Sequence, residues 1–214
     1  MNKAYRALVL ILLSVLTACS TLNPKYFERP RAIRDTEQYT HKKTGMVFPT
    51  DIGRFERVSI IQYDEKALHI SVGYNLLTAS GPVAATVYLF PSPNIISIGA
   101  PDRIVASMRA NFGQQVLTAS IEEILQAHDG AEVIEEKEIT SQQVGQTIIG
   151  HHVTFEYEQV FGTQSQDVVS HLVLFNYVGD RWSLQFRITH SKRISGENVI
   201  NQLLRNLSIP SGDS

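Results

Sequence analysis

Residues 55–210 predict an α+β domain, an antiparallel β-sheet packed by one long central helix and a short C-terminal helix. Three observations carry the prediction. Polar and apolar residues alternate at period two over much of 55–90 and 132–190, the rhythm of strands buried on one face. Between those stretches the period becomes helical over 104–128. The dipeptide Gly179-Asp180 separates two apolar runs and reads as a tight hairpin turn.

Taken in order, Val58, Ile60 and Ile61 lead to a turn at residues 64–66. Leu68, Ile70, Val72 and Tyr74 then alternate with His69, Ser71, Gly73 and Asn75. A second turn at Ser80-Gly81-Pro82 feeds residues 83–90, apolar on both faces and so expected at the centre of the sheet. After Pro91, Pro93 and Pro101, the residues Ile104, Met108, Phe112, Val116, Ile121, Leu125 and His128 recur at steps of three to five. Val105, Leu117 and Ile124 widen that stripe, Gly113 predicts a bend or break, and Gly130 a stop.

Strands follow over 132–140, 146–157, 168–178 and 181–190, with Gly162 between the second and third. In the last of them Trp182, Leu184, Phe186 and Ile188 point one way. Arg181, Ser183, Gln185 and Arg187 point the other, which predicts one face on a helix and one toward water. Ser195 is placed to cap a short amphipathic helix carrying Val199, Ile200, Leu203, Leu204 and Leu207, ended by Pro210.

Ahead of this domain, residues 19–54 predict a tether followed by an ordered lead-in. They carry Pro24, Pro30 and Pro49 and seven cations against four carboxylates. Tyr26, Phe27, Tyr39 and Phe48 argue against complete disorder of the segment. Residues 1–18 have the order of a secretory signal: Lys3 and Arg6, an apolar run over 7–15, then small residues before Cys19. The run is shorter than the about 20 apolar residues needed to span a bilayer.

Leu16-Thr17-Ala18-Cys19 at the end of such a run resembles the lipobox of bacterial lipoproteins. The resemblance implies that the Cys19 thiol receives a diacylglycerol, that cleavage falls before it, and that the new amino group is acylated. The chain would then be held to a membrane through its N-terminal lipid. Cys19 is the only cysteine in 214 residues, so a disulfide framework is excluded. In Gram-negative lipoproteins an aspartate after the cysteine favours inner-membrane retention. Ser20 therefore points, by resemblance, to the periplasmic face of the outer membrane; in a single-membrane cell the same signal places the domain outside the plasma membrane.

The formal charge of −2 falls to near −4 when Lys3 and Arg6 leave with the signal, which gives no electrostatic footprint for nucleic acid. From 150 to 207, Gly-His-His-Val-Thr-Phe-Glu-Tyr, Leu-Val-Leu-Phe, Gly-Asp-Arg-Trp-Ser-Leu-Gln-Phe-Arg-Ile-Thr and the final helix are similar in rhythm to the PsbP/Mog-type fold. That family includes photosystem-associated lumenal subunits, a small-GTPase binder and envelope lipoproteins. The likeness is one of strand pattern, and fold alone does not fix function.

Chemistry is sparsely marked. His151 and His152 are neighbours on a strand and point to opposite faces. His152, Thr154, Glu156 and Glu158 share one face with His171 on a neighbouring strand, so His152, Glu156 and His171 are the candidate metal ligands and the basis for a hydrolase. A solvated sheet face is the plainer account of the same residues. Glu122-Glu123 and Glu135-Glu136 read as solvated charge, because adjacent residues do not converge on one substrate. No Gly-x-Ser-x-Gly elbow, phosphate loop or dinucleotide fingerprint occurs, and no cofactor is predicted. Phe155, Tyr157, Phe161, Phe175, Tyr177, Trp182 and Phe186 read mainly as core. Some of them, with His151 or His190 at the rim, would also suit a cleft for a small amphiphile. The expectation is a non-catalytic, lipid-anchored envelope protein that presents its domain to an envelope protein partner. The alternatives are carriage of a small amphiphilic ligand and metal-dependent hydrolysis.

Overall fold

The computed structural model describes residues 26–95, 98–161 and 164–210. Leu16, Thr17, Ala18 and Cys19 lie outside them, as does Gly162. The described chain forms strands β1 (Tyr26–Ala32), β2 (Tyr39–Thr40), β3 (Val47–Phe48), β4 (Asp51–Ile52), β5 (Phe55–Asp64), β6 (Ile70–Thr78) and β7 (Gly81–Pro91). Helix α1 (Asp102–Ala127), strands β8 (Glu132–Gln143), β9 (Gln146–Phe161), β10 (Gln164–Val178) and β11 (Trp182–Ser191), and helix α2 (Gly196–Asn206) complete it.

One antiparallel sheet runs β1-β5-β6-β7-β11-β10-β9-β8, with β4 also paired to β5; β2 and β3 make a separate hairpin. The topology follows from local turns plus one long crossing. Asp64 closes the β5–β6 turn, its carboxylate accepting from the backbone N–H of Lys66 at 2.8 Å and of His69 at 2.6 Å. Gly179 and Asp180 both have positive φ, the geometry that reverses β10 into β11. Helix α1 carries the chain from β7 to the far edge at β8. The meander β8–β9–β10–β11 then returns, so that β11 pairs with β7 over nine residues.

Both sheet faces are covered, because successive side chains alternate between two apolar cores. On one face Phe175, Leu184, Phe186 and Ile188 meet Met46, Phe48, Ile52 and the α2 residues Val199, Ile200 and Leu203. On the other, Val153, Phe155, Leu172 and Leu174 meet Leu117 and Ile124 of α1. Gly150 keeps the first core closed. A Cβ there would stand 2.3 Å from Phe175 Cδ1 and 2.7 Å from the Leu174 carbonyl oxygen, so the phenyl ring lies directly over its backbone.

Four expectations change. The boundary at residue 55 does not separate a tether from a domain over the described part of 19–54: β1 pairs with β5, and Met46 and Phe48 are fully buried. His41, also buried, fixes this segment by donating from Nε2 to the Ala67 carbonyl at 2.9 Å, and the Arg57 guanidinium ties the Phe48, Asp35 and Glu37 carbonyls.

The buried face of α1 is Gly113, Leu117, Ser120 and Ile124, whereas Ile104, Met108 and Leu125 of the expected stripe are exposed. Gly113 does not break α1; a Cβ there would stand 3.1 Å from Asn176 Nδ2, so its smallness lets the helix approach the sheet. The second face of β11 is not turned to water. Ser183 and Gln185 are buried beneath α1, with Ser183 Oγ donating to Asn176 Oδ1 at 2.9 Å and Ser120 Oγ to Gln185 Oε1 at 3.0 Å.

Candidate functional site

A cleft of about 730 Å³ lies between α2 and strands β8–β11. That volume falls within the range of small-molecule sites. Ile139, Ile194, Ile200 and Leu204 form an aliphatic wall, not the aromatic one expected from the sequence. His152, His171 and His190 form its polar end, each less than one tenth exposed.

Pleat and register bring these three rings together. His152 is opposite Val173 and His171 is opposite Thr154, so the first two histidines are diagonal neighbours on one face. His171 is opposite Ile188 and His190 opposite Val169, which repeats the diagonal on the next strand pair. The segment entering α2 closes over them. At Gly196, where a Cβ would stand 2.2 Å from His171 Nε2 and 2.6 Å from His190 Nε2, only a glycine fits beside the rings.

The tautomers follow from the partners. His190 Nδ1 lies 2.8 Å from the Ser191 carbonyl oxygen, which only accepts, so that nitrogen carries the proton and Nε2 is bare. His171 Nε2 faces it at 3.0 Å and must donate. His171 Nδ1 is then the acceptor for His152 Nε2–H, again at 3.0 Å. Three neutral imidazoles therefore form one directional chain from His152 to the Ser191 carbonyl. Thr154 Oγ1, 3.3 Å from His171 Nδ1, adds a hydroxyl beside the first junction.

Electrostatics keep the chain neutral. His171 is pushed down to about 3, first by burial and then by the two imidazoles beside it and Lys137. Burial also lowers His190, against the opposing pull of the Ser191 carbonyl. His152 is lowered by burial and by Lys137, with Glu135 acting the other way.

Of the expected metal set, His152 and His171 meet and Glu156 does not join them. Its carboxylate is engaged by Lys192 Nζ at 2.5 Å. The third member of the cluster is His190, which the sequence placed only at a possible rim. Adjacent ring centroids are 5.1 Å apart in both pairs while the facing nitrogens are 3.0 Å apart, so the rings meet nearly end-on. Ligands of one ion would aim their lone pairs at a common point. Among the described residues no group of three or more His, Cys, Asp or Glu is arranged to hold a metal ion. His151, on the opposite strand face, takes no part in the chain.

A smaller cavity of about 320 Å³ lies on the α1 side, lined in part by Tyr63, His69, Tyr88 and Phe90. Arg187 spans it, donating to both Glu123 oxygens at 3.2 and 2.7 Å and lying 5.6 Å from the centre of the Tyr88 ring. Glu123 is thus a clasp between α1 and the sheet. Glu135 is likewise paired, with Lys137 at 3.0 Å. Among the described residues no helix is long and apolar enough to cross a membrane. Comparison with protein families and with curated proteins finds no match to the chain.

Proposed function

We propose that this chain is a lipid-anchored cell-envelope protein, non-catalytic, whose α+β domain binds a small amphiphilic ligand in the cleft beneath α2. The observation that carries the reading is the pairing, in one cleft of about 730 Å³, of an aliphatic wall with a buried end of hydrogen-bonded imidazoles. Such a cavity offers apolar surface to a tail and a few fixed polar groups to a head. The imidazoles support binding over catalysis, since their facing nitrogens are committed to one another. The anchor rests on the lipobox resemblance of Leu16-Thr17-Ala18-Cys19, and Ser20 directs it to the outer membrane of a Gram-negative cell. A PsbP/Mog-like domain is the fold assignment in keeping with the strand rhythm of residues 150–207.

A second reading, presentation to an envelope protein partner, is favoured by one specific observation. Among the described residues strand β8 is an unpaired sheet edge of twelve residues with Val133 and Ile134 exposed, and Ile149 beside it is 64% exposed. An extended partner segment would add to that edge.

One experiment addresses anchor and cleft together. Cys19→Ala is expected to leave the chain unlipidated and to move it from the membrane fraction to the soluble one. Purified, that variant is expected to give a saturable one-to-one fluorescence rise with N-phenyl-1-naphthylamine. Leu204→Glu is expected to weaken the probe about tenfold or more by setting a charge in the aliphatic wall. Normal membrane retention of Cys19→Ala contradicts the anchor, and no saturable probe binding contradicts the cleft.

A further inference from the structure

We infer that the ligand of this cleft carries a neutral hydroxyl head, an alcohol on an apolar body, and that His152 receives its proton. The inference rests on the ligand-binding reading above and names the group that the buried end of the cleft takes.

The direction of the histidine chain selects a donor. Because the Ser191 carbonyl only accepts, the protons are assigned from that end. His190 Nδ1–H goes to Ser191, His171 Nε2–H to His190, and His152 Nε2–H to His171. A neutral imidazole holds a single N–H, so His152 Nδ1 is a bare lone pair with no hydrogen-bond partner among the described residues. Burial and Lys137 keep His152 from taking a second proton at neutral pH. The ring is 8% exposed and shares the α2 face of the sheet with Lys137, directly opposite it in β8, so what surface it keeps opens into the cleft. A nearly buried acceptor without a donor is unfavourable, and a ligand that supplies a proton there relieves it.

Charge selects among donors. Lys137 Nζ is held by both Glu135 oxygens at 3.0 Å, so the pair beside His152 is neutral as a unit. An ammonium head would lose its water next to the Lys137 ammonium, while Glu197 stands exposed in the first turn of α2. A carboxylate head has no proton to give and would set its lone pairs against that of Nδ1. An alcohol donates its O–H and brings no charge into the buried end, and Ile139, Ile194, Ile200 and Leu204 take its apolar body.

The test uses the full chain as Cys19→Ala, so that its own lipid does not compete, with calorimetry at neutral pH. The probes are 1-decanol, decyl methyl ether, decanoate and decylammonium, each below its solubility or micelle limit. Decanol is expected to bind one to one and at least about tenfold tighter than either ion, and than the ether, which keeps the oxygen and lacks the proton. His152→Phe is expected to bring decanol down to the level of the ether. His152→Gln, whose amide can both donate to His171 and accept from the ligand, is expected to keep most of the preference. The contrast of alcohol with ether is read with His152 in place, so it does not depend on either variant folding. The ether or an ion binding as tightly as decanol, or a preference for decanol that survives His152→Phe, overturns the hydroxyl head while leaving amphiphile binding in place. Failure of all four probes to bind overturns the ligand-binding reading itself.

Discussion

Lowering the pH from 7 to 4 is expected to remove several kcal/mol of folding stability, and His171 sets the slope. An unfolded histidine titrates near 6.5, whereas the folded chain holds His171 at about 3. Its folded value is depressed, so below about 6.5 the unfolded chain binds a proton that the folded chain refuses. Stability is thus full above pH 6.5 and declines as the pH falls toward 3. For His171 alone the loss is about 1.4 kcal/mol per pH unit, or about 3 kcal/mol between pH 6 and pH 4. His152 and His190 are lowered as well and add to it with the same sign, as do buried His41 and half-buried His69.

Urea unfolding across this range measures the slope directly. His171→Gln removes the titration, and the variant, although less stable at pH 7, is expected to lose stability more slowly on acidification. Parallel slopes in the two proteins would show that His171 is not buried neutral.

The second large effect is expected from the smallest substitution. Gly196→Ala, at the first residue of α2 and with an ordinary negative φ, would on helix propensity alone stabilise the chain by up to about 1 kcal/mol. Here the sign reverses, because the added methyl carbon falls 2.2 Å from one imidazole nitrogen and 2.6 Å from another. Either α2 lifts off Val199, Ile200 and Leu203, or the His171–His190 hydrogen bond parts and leaves buried polar atoms unpaired. Overpacking and a broken buried hydrogen bond each cost about 1–3 kcal/mol, so a net loss of about 2–4 kcal/mol is expected in denaturant melts. Ser195→Ala is the control. The Ser195 hydroxyl makes no capping hydrogen bond, so its loss is expected to change stability by less than about 0.5 kcal/mol. A neutral or stabilising Gly196→Ala would contradict the close packing of α2 on the histidine chain.

The strands were legible because their signal is local. Period two and the turns at Asp64, Gly81 and Gly179-Asp180 fixed β5 to β11 to within a few residues. An ordered lead-in was expected from its aromatics, but its place in the core was not legible, because the apolar run Met46-Val47-Phe48 and the lone Ile52 are too short to show a period. The burial of Met46, Phe48 and Ile52 is decided by the β1–β5 pairing and by α2.

The α1 stripe was legible in part: Leu117 and Ile124 are buried with Val116 and Ile121 packed beside them, whereas Ile104, Met108 and Leu125 are exposed. Apolar residues lie all round that helix, so two stripes compete, and the choice falls to polar contacts that no hydropathy pattern contains, Ser120 with Gln185 and Gly113 against Asn176. At the site, strand parity alone placed His152 beside His171. His190 continues the inward face of Trp182, Leu184, Phe186 and Ile188, and the Gly179-Asp180 turn sets it one diagonal from His171. That signal was present, but it needs the register of two hairpins at once. Glu156 shares the strand face of the histidines, yet a lysine beyond the end of β11 claims it, and that contact lies in the loop geometry.

The measurement closest to the central claim is native mass spectrometry of the lipidated protein, released gently from its own membranes, beside the Leu204→Glu variant treated in the same way. The account predicts one non-covalent small molecule per chain, in addition to the lipid on Cys19, with its occupancy reduced in the variant. A wild-type chain that carries only its covalent lipid, or a bound molecule held equally by the variant, would contradict the cleft as the functional site.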